Sequence, residues 1–220
     1  GASTLAADPS LVPGVIANTF LAASAGVIAT ALYTRLRYGH IDGSLTLNGA
    51  LAGLVSITAG AANLSIVGAI VAGLVAGVIL VEGVRFIEWV LKVDDPVGAI
   101  AVHGICGIWG TLAVGLLDIT GKGLLYGGGA TLLGVQAIGV LAIIAWTAVT
   151  VTGSLMVIKL FVPLRVSREE EIEGLDMAEH GSYAYEFSQD VFKGLSKSND
   201  TFAQRLTTYG AKPKSKIAHK

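Results

Sequence analysis

Apolar residues dominate the first three quarters of the chain in five long runs, each bounded by short polar or glycine-rich segments. A helix that crosses the hydrocarbon core of a bilayer needs about 20 predominantly apolar residues. The runs therefore predict five transmembrane helices, over residues 13–36, 45–61, 64–91, 96–117 and 132–161. The second run is short, whereas the fifth is long enough to be strongly tilted or to project beyond the bilayer.

Composition agrees with this pattern and divides the chain into two parts. Of its 220 residues, 53% are hydrophobic and 14% are charged, and the mean hydropathy is +0.69. Such values are typical of membrane proteins. The charged residues concentrate after Leu164, where 18 of the 31 lie. We therefore expect a transmembrane domain over residues 1–162, a polar C-terminal tail over residues 163–220, and no nucleic-acid partner.

Lysine and arginine near the ends of the spans indicate the orientation, because basic residues are enriched on the cytoplasmic side. They follow the first, third and fifth spans, whereas the opposite side offers only Lys122. This distribution predicts a multi-pass protein of the cell membrane, with the start of this chain external and its C-terminus cytoplasmic. The chain begins at Gly1 without a visible signal peptide, so we expect preceding segments to deliver its start to the outside.

Small residues recur three or four positions apart within the spans. This spacing lets helix backbones approach closely in lipid, and it predicts a tightly packed bundle. The pairs four apart are Gly49 and Gly53, Ala69 and Gly73, and Gly73 and Gly77, and the residues three apart are Gly104, Gly107 and Gly110.

His103 is the only histidine inside a predicted span. An ionisable side chain in hydrocarbon is costly, so it normally faces a protein-lined interior or a pathway. One interpretation is a role in passing a small polar species or a proton, since neutral imidazole offers one donor and one acceptor. The other is a structural histidine that is hydrogen-bonded to a neighbouring helix. The pattern predicts that His103 lies about two turns into a helix that starts at Pro96.

Metal binding and catalysis are both disfavoured by the residues available. His103 and Cys106 could share a helix face, but zinc sites need three or four protein ligands. No further histidine or cysteine lies in any span. No carboxylate or serine–base pair stands at suitable spacing in the spans either. We therefore expect no metal, no cofactor and no enzymatic activity.

The charged residues around the third and fourth spans have structural interpretations. Glu82, Arg85 and Glu88 stand three apart and predict an ion-pair ladder at the end of the third span. Asp95 directly precedes a proline and predicts a helix N-cap. The role of Asp94 is left open.

Three segments of the sequence resemble the ammonium transporter family (Amt/Mep/Rh). They are "LNGALAGLVSITAG", "VDDPVGAIAVHGICGIWGTLAVG" and "EGLDMAEHGSYAYE", and they occur in the family's order over nearly all of the chain up to about Tyr185. The resemblance implies an all-α integral membrane fold of eleven helices, built as an inverted repeat of two five-helix halves plus a last long helix. This chain would supply the last five transmembrane helices and a cytoplasmic C-terminal tail. The resemblance also implies a homotrimer with one pore in each subunit.

The resemblance implies roles for individual residues as well. His103 matches the second of the family's twin pore histidines, Ser3 is similar to the serine of the outer ammonium-recruitment site, and Asp95 matches a structural helix cap. The tail resembles a regulatory segment that couples subunits and contacts PII signalling proteins. Its matching residues are Gly174, Leu175, Asp176, His180 and Gly181. The sequence departs from the family at Ser182, where a glutamate is usual.

The function that the resemblance implies is transport of ammonium or ammonia across the cell membrane, through an apolar pore lined by histidine. Two alternatives stay open. The protein could be an ammonium sensor that signals through its tail, or the chain could be an incomplete fragment that is inactive alone.

Overall fold

A computed structural model of the chain describes residues 8–173 and 175–176. Helices account for the regular structure of these residues, and no strand occurs among them. The α-helices are α1 (Val12–Tyr38), α2 (Gly43–Thr58), α3 (Ile66–Arg85), α4 (Cys106–Leu117), α5 (Thr131–Lys159) and α6 (Arg168–Glu173). A π-helical turn, Phe86–Val90, follows α3, and a second one, Ile100–Ile105, leads into α4.

Four helical stretches of the described residues are long and apolar enough to cross a membrane. They are Val12–Tyr38, Ile66–Val90, Ile100–Leu117 and Thr131–Lys159. Helix α2 is apolar but has only 16 residues, which is below the usual spanning length. These helices confirm the prediction of a helical membrane fold with several spans. Five spans and an inverted repeat stay predictions.

The chain forms two compact units, Gly1–Gly153 and Ser154–Lys220, and the boundary between them lies within α5. In the first unit, α1 packs against both α2 and α3, and α4 also packs against α2 and α3. Its two apolar clusters contain mostly alanine, leucine, isoleucine and valine.

The backbone of α1 lies very close to both neighbouring helices at Ala22, which is fully buried. A Cβ atom at Gly53 of α2 or at Gly73 of α3 would overlap the carbonyl oxygen of Ala22. Only glycine permits this separation, because any side chain would push the backbones apart. The predicted close packing of small residues agrees with this geometry.

Several buried or half-buried polar side chains donate hydrogen bonds to backbone carbonyl groups of neighbouring elements. Asn18 donates to the carbonyls of Ala61 and Leu64, each at 2.9 Å. Thr30 donates to the carbonyl of Gly77 at 3.1 Å, and the Trp109 indole donates to that of Ala72 at 3.0 Å. Since no water is available in hydrocarbon, these bonds remove a desolvation cost and also fix how the helices are rotated.

Asp118 connects the loops at one end of the bundle. It is buried, it accepts hydrogen bonds from the Thr120 backbone and hydroxyl, and it accepts a third from Asn63 Nδ2 at 3.1 Å. Burial would raise the pKa of this carboxyl, but the hydrogen bonds outweigh burial and the pKa is lowered. The carboxylate therefore stays ionised at neutral pH and holds the α2–α3 loop to the segment after α4.

Helix α5 has no buried residue over its whole length. Near its start, Leu132 packs on an apolar cluster of the first unit, and Leu133 contacts Gly115 of α4. The other apolar side chains of α5 are exposed or half-buried. A helix of this composition is stable in such a state only when lipid or protein covers it.

The second unit contains α6, whose first turn forms a capping box. The Glu170 amide donates to Ser167 Oγ at 3.2 Å, and the Ser167 amide donates to the Glu170 carboxylate at 2.9 Å. This reciprocal pair defines where a short helix begins in polar surroundings. Arg165 also pairs with Glu171 across the same turn.

Replacing Gly53 by alanine should destabilise the bundle. The added Cβ would overlap the Ala22 carbonyl, and overpacking of this kind costs about 1–3 kcal/mol. Gly14→Ala is the matched control, because a Cβ there meets nothing within 4 Å. The unfolding midpoints of the two variants in detergent check this prediction, and that of Gly53→Ala should be lower. Equal midpoints for the two variants would contradict the close contact.

Candidate functional site

The loop before α4 is shaped by Asp95 and Gly98. Asp95 is buried, and its Oδ2 accepts hydrogen bonds from the backbone amides of Ile100 at 3.0 Å and Ala101 at 3.4 Å. Asp95 thereby satisfies amides at the start of the helix, as a cap does. The regular π-turn begins at Ile100 and not at Pro96, because Gly98 adopts a positive φ of 69° and interrupts the helical path.

Helix α2 holds this loop from the side. Asn48 Nδ2 donates to the carbonyl of Val97 at 3.0 Å. A Cβ at Gly98 would lie 3.3 Å from the Asn48 amide nitrogen and 3.4 Å from Val84, so the space there is tight. The position of the π-turn is therefore fixed by α2 and by its own aspartate.

His103 lies within the π-turn Ile100–Ile105 and not in a regular α-helix. In a π-turn each backbone hydrogen bond joins residues five apart, one more than in an α-helix. Such turns occur frequently at functional sites. Ala101, Val102 and Cys106 are buried, and the Cys106 thiol donates to the Ala76 carbonyl of α3 at 3.7 Å. His103 and Gly104 are exposed. The π-turn therefore packs one face on α3 and presents His103 on another.

The imidazole makes no hydrogen bond to any residue that the structure describes. It is accordingly not a structural histidine tied to a neighbouring described helix. Gly104 leaves room beside it, since a Cβ there would meet only Ile100, at 3.8 Å. His103 also lies closer to the helix start than the two turns that the sequence predicts, because the helix begins later. The result is an uncovered imidazole beside a glycine.

His103 and Cys106 do not form a shared ligand pair, because one side chain is exposed and the other is buried against α3. Among the described residues, no group of three or more histidine, cysteine or acidic side chains could hold a metal ion.

Glu82 is at the centre of an ion-pair network that joins α1 and α3. It lies 3.5 Å from Arg85 and 3.6 Å from Arg37, and it accepts a hydrogen bond from the Tyr33 hydroxyl at 2.7 Å. The sequence predicts the Glu82–Arg85 contact, but the third member of the predicted ladder, Glu88, does not join it. Tyr33 and Arg37 were missed because they lie more than 40 residues away in sequence, where helical spacing carries no information.

The remaining predicted site residues are only partly within the described segments. Ser3, Gly174, His180 and Gly181 lie outside the described residues, as does Ser182. Leu175 is exposed and Asp176 is half-buried.

Comparison with known proteins gives consistent matches. A model described as "Ammonium Transporter Family" matches residues 1–185. The chain is 40% identical over 194 residues to ammonium transporter Amt2 of Archaeoglobus fulgidus, covering 83% of this chain and 41% of that protein. It is 35% identical over 189 residues to ammonium transporter 1 member 3 of Solanum lycopersicum, covering 79% of this chain and 41% of that protein.

A solved structure described as "Sensor Amt Protein" has a similar fold. It superposes with a TM-score of 0.72 at 34% identity, covering 79% of this chain and 43% of that chain. The chain thus spans about two fifths of the length of the relatives that it matches.

Removing the Asp95 cap should loosen the segment that carries His103. Asp95→Ala leaves the amides of Ile100 and Ala101 without their acceptor, at a cost of about 1–2 kcal/mol. Asp94→Ala is the matched control, because Asp94 is exposed and makes no hydrogen bond to the described residues. Amide hydrogen exchange over residues 99–106 should accelerate only in the first variant. Equal exchange in both variants would show that the cap is dispensable.

Proposed function

This chain belongs to the ammonium transporter family, and on that premise we propose that it forms part of a pathway that moves ammonium or ammonia across the cell membrane. The observation that carries the proposal is the uncovered imidazole of His103 beside Gly104, on a helix that is apolar enough to span a bilayer. Relatives that share 35–40% identity are named as transporters and not as enzymes.

His103 is proposed to line this pathway. Moving a full positive charge through an apolar passage is expensive. Proton loss at the entrance, or relay of the proton along the pathway, lowers that cost. A neutral imidazole can donate to one passing molecule and accept from another, and it can carry a proton near neutral pH. Potassium has no proton to give up, so an apolar passage would reject it.

The position of His103 supports this role in two ways. The ring is not engaged by any described residue, so both of its nitrogens remain available to a substrate. Its backbone is held by Asp95 and Asn48 on one side and by the Cys106 contact with α3 on the other. A fixed backbone with a free polar side chain is what a pathway residue requires.

Other parts of the proposal concern the assembly. Ser3 would offer an oxygen acceptor in an outer recruitment site, where aromatic faces attract the cation. The protein would be a homotrimer whose C-terminal tail is cytoplasmic, with the start of this chain on the external side. The tail residues Gly174, Leu175, Asp176, His180 and Gly181 would couple subunits and contact a PII signalling protein.

An ammonium sensor is a second candidate function. It is favoured by the similarity to the structure described as a sensor Amt protein, at 34% identity and a TM-score of 0.72. A sensor binds ammonium and passes a signal through its tail, and it needs no flux. Binding without uptake would therefore favour the sensor.

Substitution of His103 should impair transport. His103→Ala removes the donor and acceptor, so uptake of methylammonium by proteoliposomes should fall by about tenfold or more. The pH dependence of this uptake, or the exclusion of potassium, should change as well. His40→Ala is the matched control, since His40 is exposed in the α1–α2 loop and its ring lies beside Tyr38, two residues earlier.

Three outcomes separate the candidates. Unchanged rate, pH dependence and potassium exclusion in His103→Ala would eliminate the pathway role. Ammonium binding without uptake by the unaltered protein would favour the sensor. Neither binding nor uptake by this chain would favour an incomplete fragment that is inactive alone.

Deletion of the tail should separate regulation from stability. A chain that ends before Val166 should lose PII binding in a pull-down, or transport more slowly. The unfolding midpoint of its membrane helices should stay the same. Undiminished PII binding together with unchanged uptake would contradict a regulatory tail.

A further inference from the structure

A crevice at one end of the first unit contains charges of both signs. Its volume is about 400 Å³, and its walls include Arg37, Tyr38, Asp42, Arg85, Glu88 and Trp89. We call it the Arg37–Arg85 crevice. It lies where the apolar stretches Val12–Tyr38 and Ile66–Val90 both end.

The two guanidinium groups are held close together by one carboxylate. Glu82 lies 3.6 Å from Arg37 Nε and 3.5 Å from an Arg85 terminal nitrogen, and it also accepts from Tyr33. Two guanidinium groups offer more N–H donors than one carboxylate can accept. Both arginine side chains are over 40% exposed. The pair can therefore still bind a further acceptor, and guanidinium matches the geometry of phosphate.

The same walls carry negative charge. Asp42 Oδ1 already accepts from the Leu45 amide at 2.8 Å as the N-cap of α2. Glu88 makes no hydrogen bond to a described residue and is exposed. A purely anionic ligand would gain from the arginines but would be repelled by Glu88. A ligand with a phosphate at one end and an amine at the other satisfies both charges.

Aromatic side chains indicate the depth of the crevice in a bilayer. Tyr38 is 41% exposed and Trp89 is 74% exposed. Tyrosine and tryptophan concentrate at the level of lipid headgroups, where an apolar ring and a polar edge are both accommodated. Since two spans end at the same level, the crevice faces the headgroup layer.

We propose that the Arg37–Arg85 crevice binds the headgroup of a phosphatidylethanolamine molecule. The phosphate lies between the two guanidinium groups, and the primary ammonium group faces Glu88. The site is independent of the proposed transport pathway, because its walls come from the end of α1, the start of α2 and the end of α3 with the π-turn that follows it, and not from the His103 segment. It binds a lipid that stays in place and is not a transported molecule.

Native mass spectrometry of the full chain in detergent tests the proposal. The probes are phosphatidylethanolamine, phosphatidylcholine, phosphatidylglycerol and inorganic phosphate, each at the same concentration. The unaltered chain should retain phosphatidylethanolamine about tenfold more tightly than the other probes. Arg37→Gln and Arg85→Gln should each remove most of this retention. Glu88→Gln should abolish only the preference over phosphatidylglycerol.

Arg35→Gln is the matched control, because it removes the same charge from the same helix end without lining the crevice. Equal retention by Arg35→Gln and the two crevice variants would overturn the site. Phosphatidylglycerol or inorganic phosphate bound as tightly as phosphatidylethanolamine would overturn the choice of ligand. If an arginine variant fails to fold, a competition experiment on the unaltered chain replaces it. Soluble glycerophosphoethanolamine in excess should then displace the bound lipid. Retention that is unaffected by excess competitor would overturn the proposal.

Discussion

The contact of the α1 backbone with α2 and α3 at Ala22 is the constraint on which the rest of the bundle depends. Apolar side chains gain little by leaving lipid for one another, so helices in a bilayer are held by close packing and by hydrogen bonds between them. Gly53 and Gly73 bring three backbones together, and this proximity lets Thr30 and Asn18 reach carbonyl groups on neighbouring elements. Helix α3, once fixed, offers the carbonyls that anchor Cys106 and Trp109. The orientation of the His103 segment follows from these contacts.

Much of the helical content could be predicted from the sequence, because long apolar runs have few alternatives in a bilayer. The ends of the helices were harder to place. The apolar pattern predicts α2 over residues 45–61, and the structure has it at Gly43–Thr58. Its start is two residues earlier because Asp42 caps the helix there. The apolar pattern predicts that the fourth span starts at Pro96, but Gly98, two residues later, adopts a left-handed conformation and delays its start. Both shifts depend on the conformation of single residues, which an apolar pattern does not encode.

The candidate site was predictable where chemistry alone made a residue unusual. His103 was identified because it is an ionisable group within an apolar run, and Asp95 because it precedes a proline. The π-turn around His103 was not predicted, since no residue in that segment is specific to a π-turn. The network of Tyr33, Arg37 and Glu82 was also missed, because it joins helices whose register is set by packing of the glycines. Contacts that depend on tertiary packing need the structure.

The π-turn also has a consequence for sequence length. A π-turn contains one residue more than the α-helical turn that would replace it. Loss of one residue from Ile100–Ile105 would let this turn close as a regular α-helix, and the residues on either side would keep their register. With α4 and the Cys106 anchor unchanged, the side chain that occupies the uncovered position would depend on which residue of the turn is lost. A deletion in this turn would therefore keep the helix and still be able to move the imidazole away from the position that it now occupies.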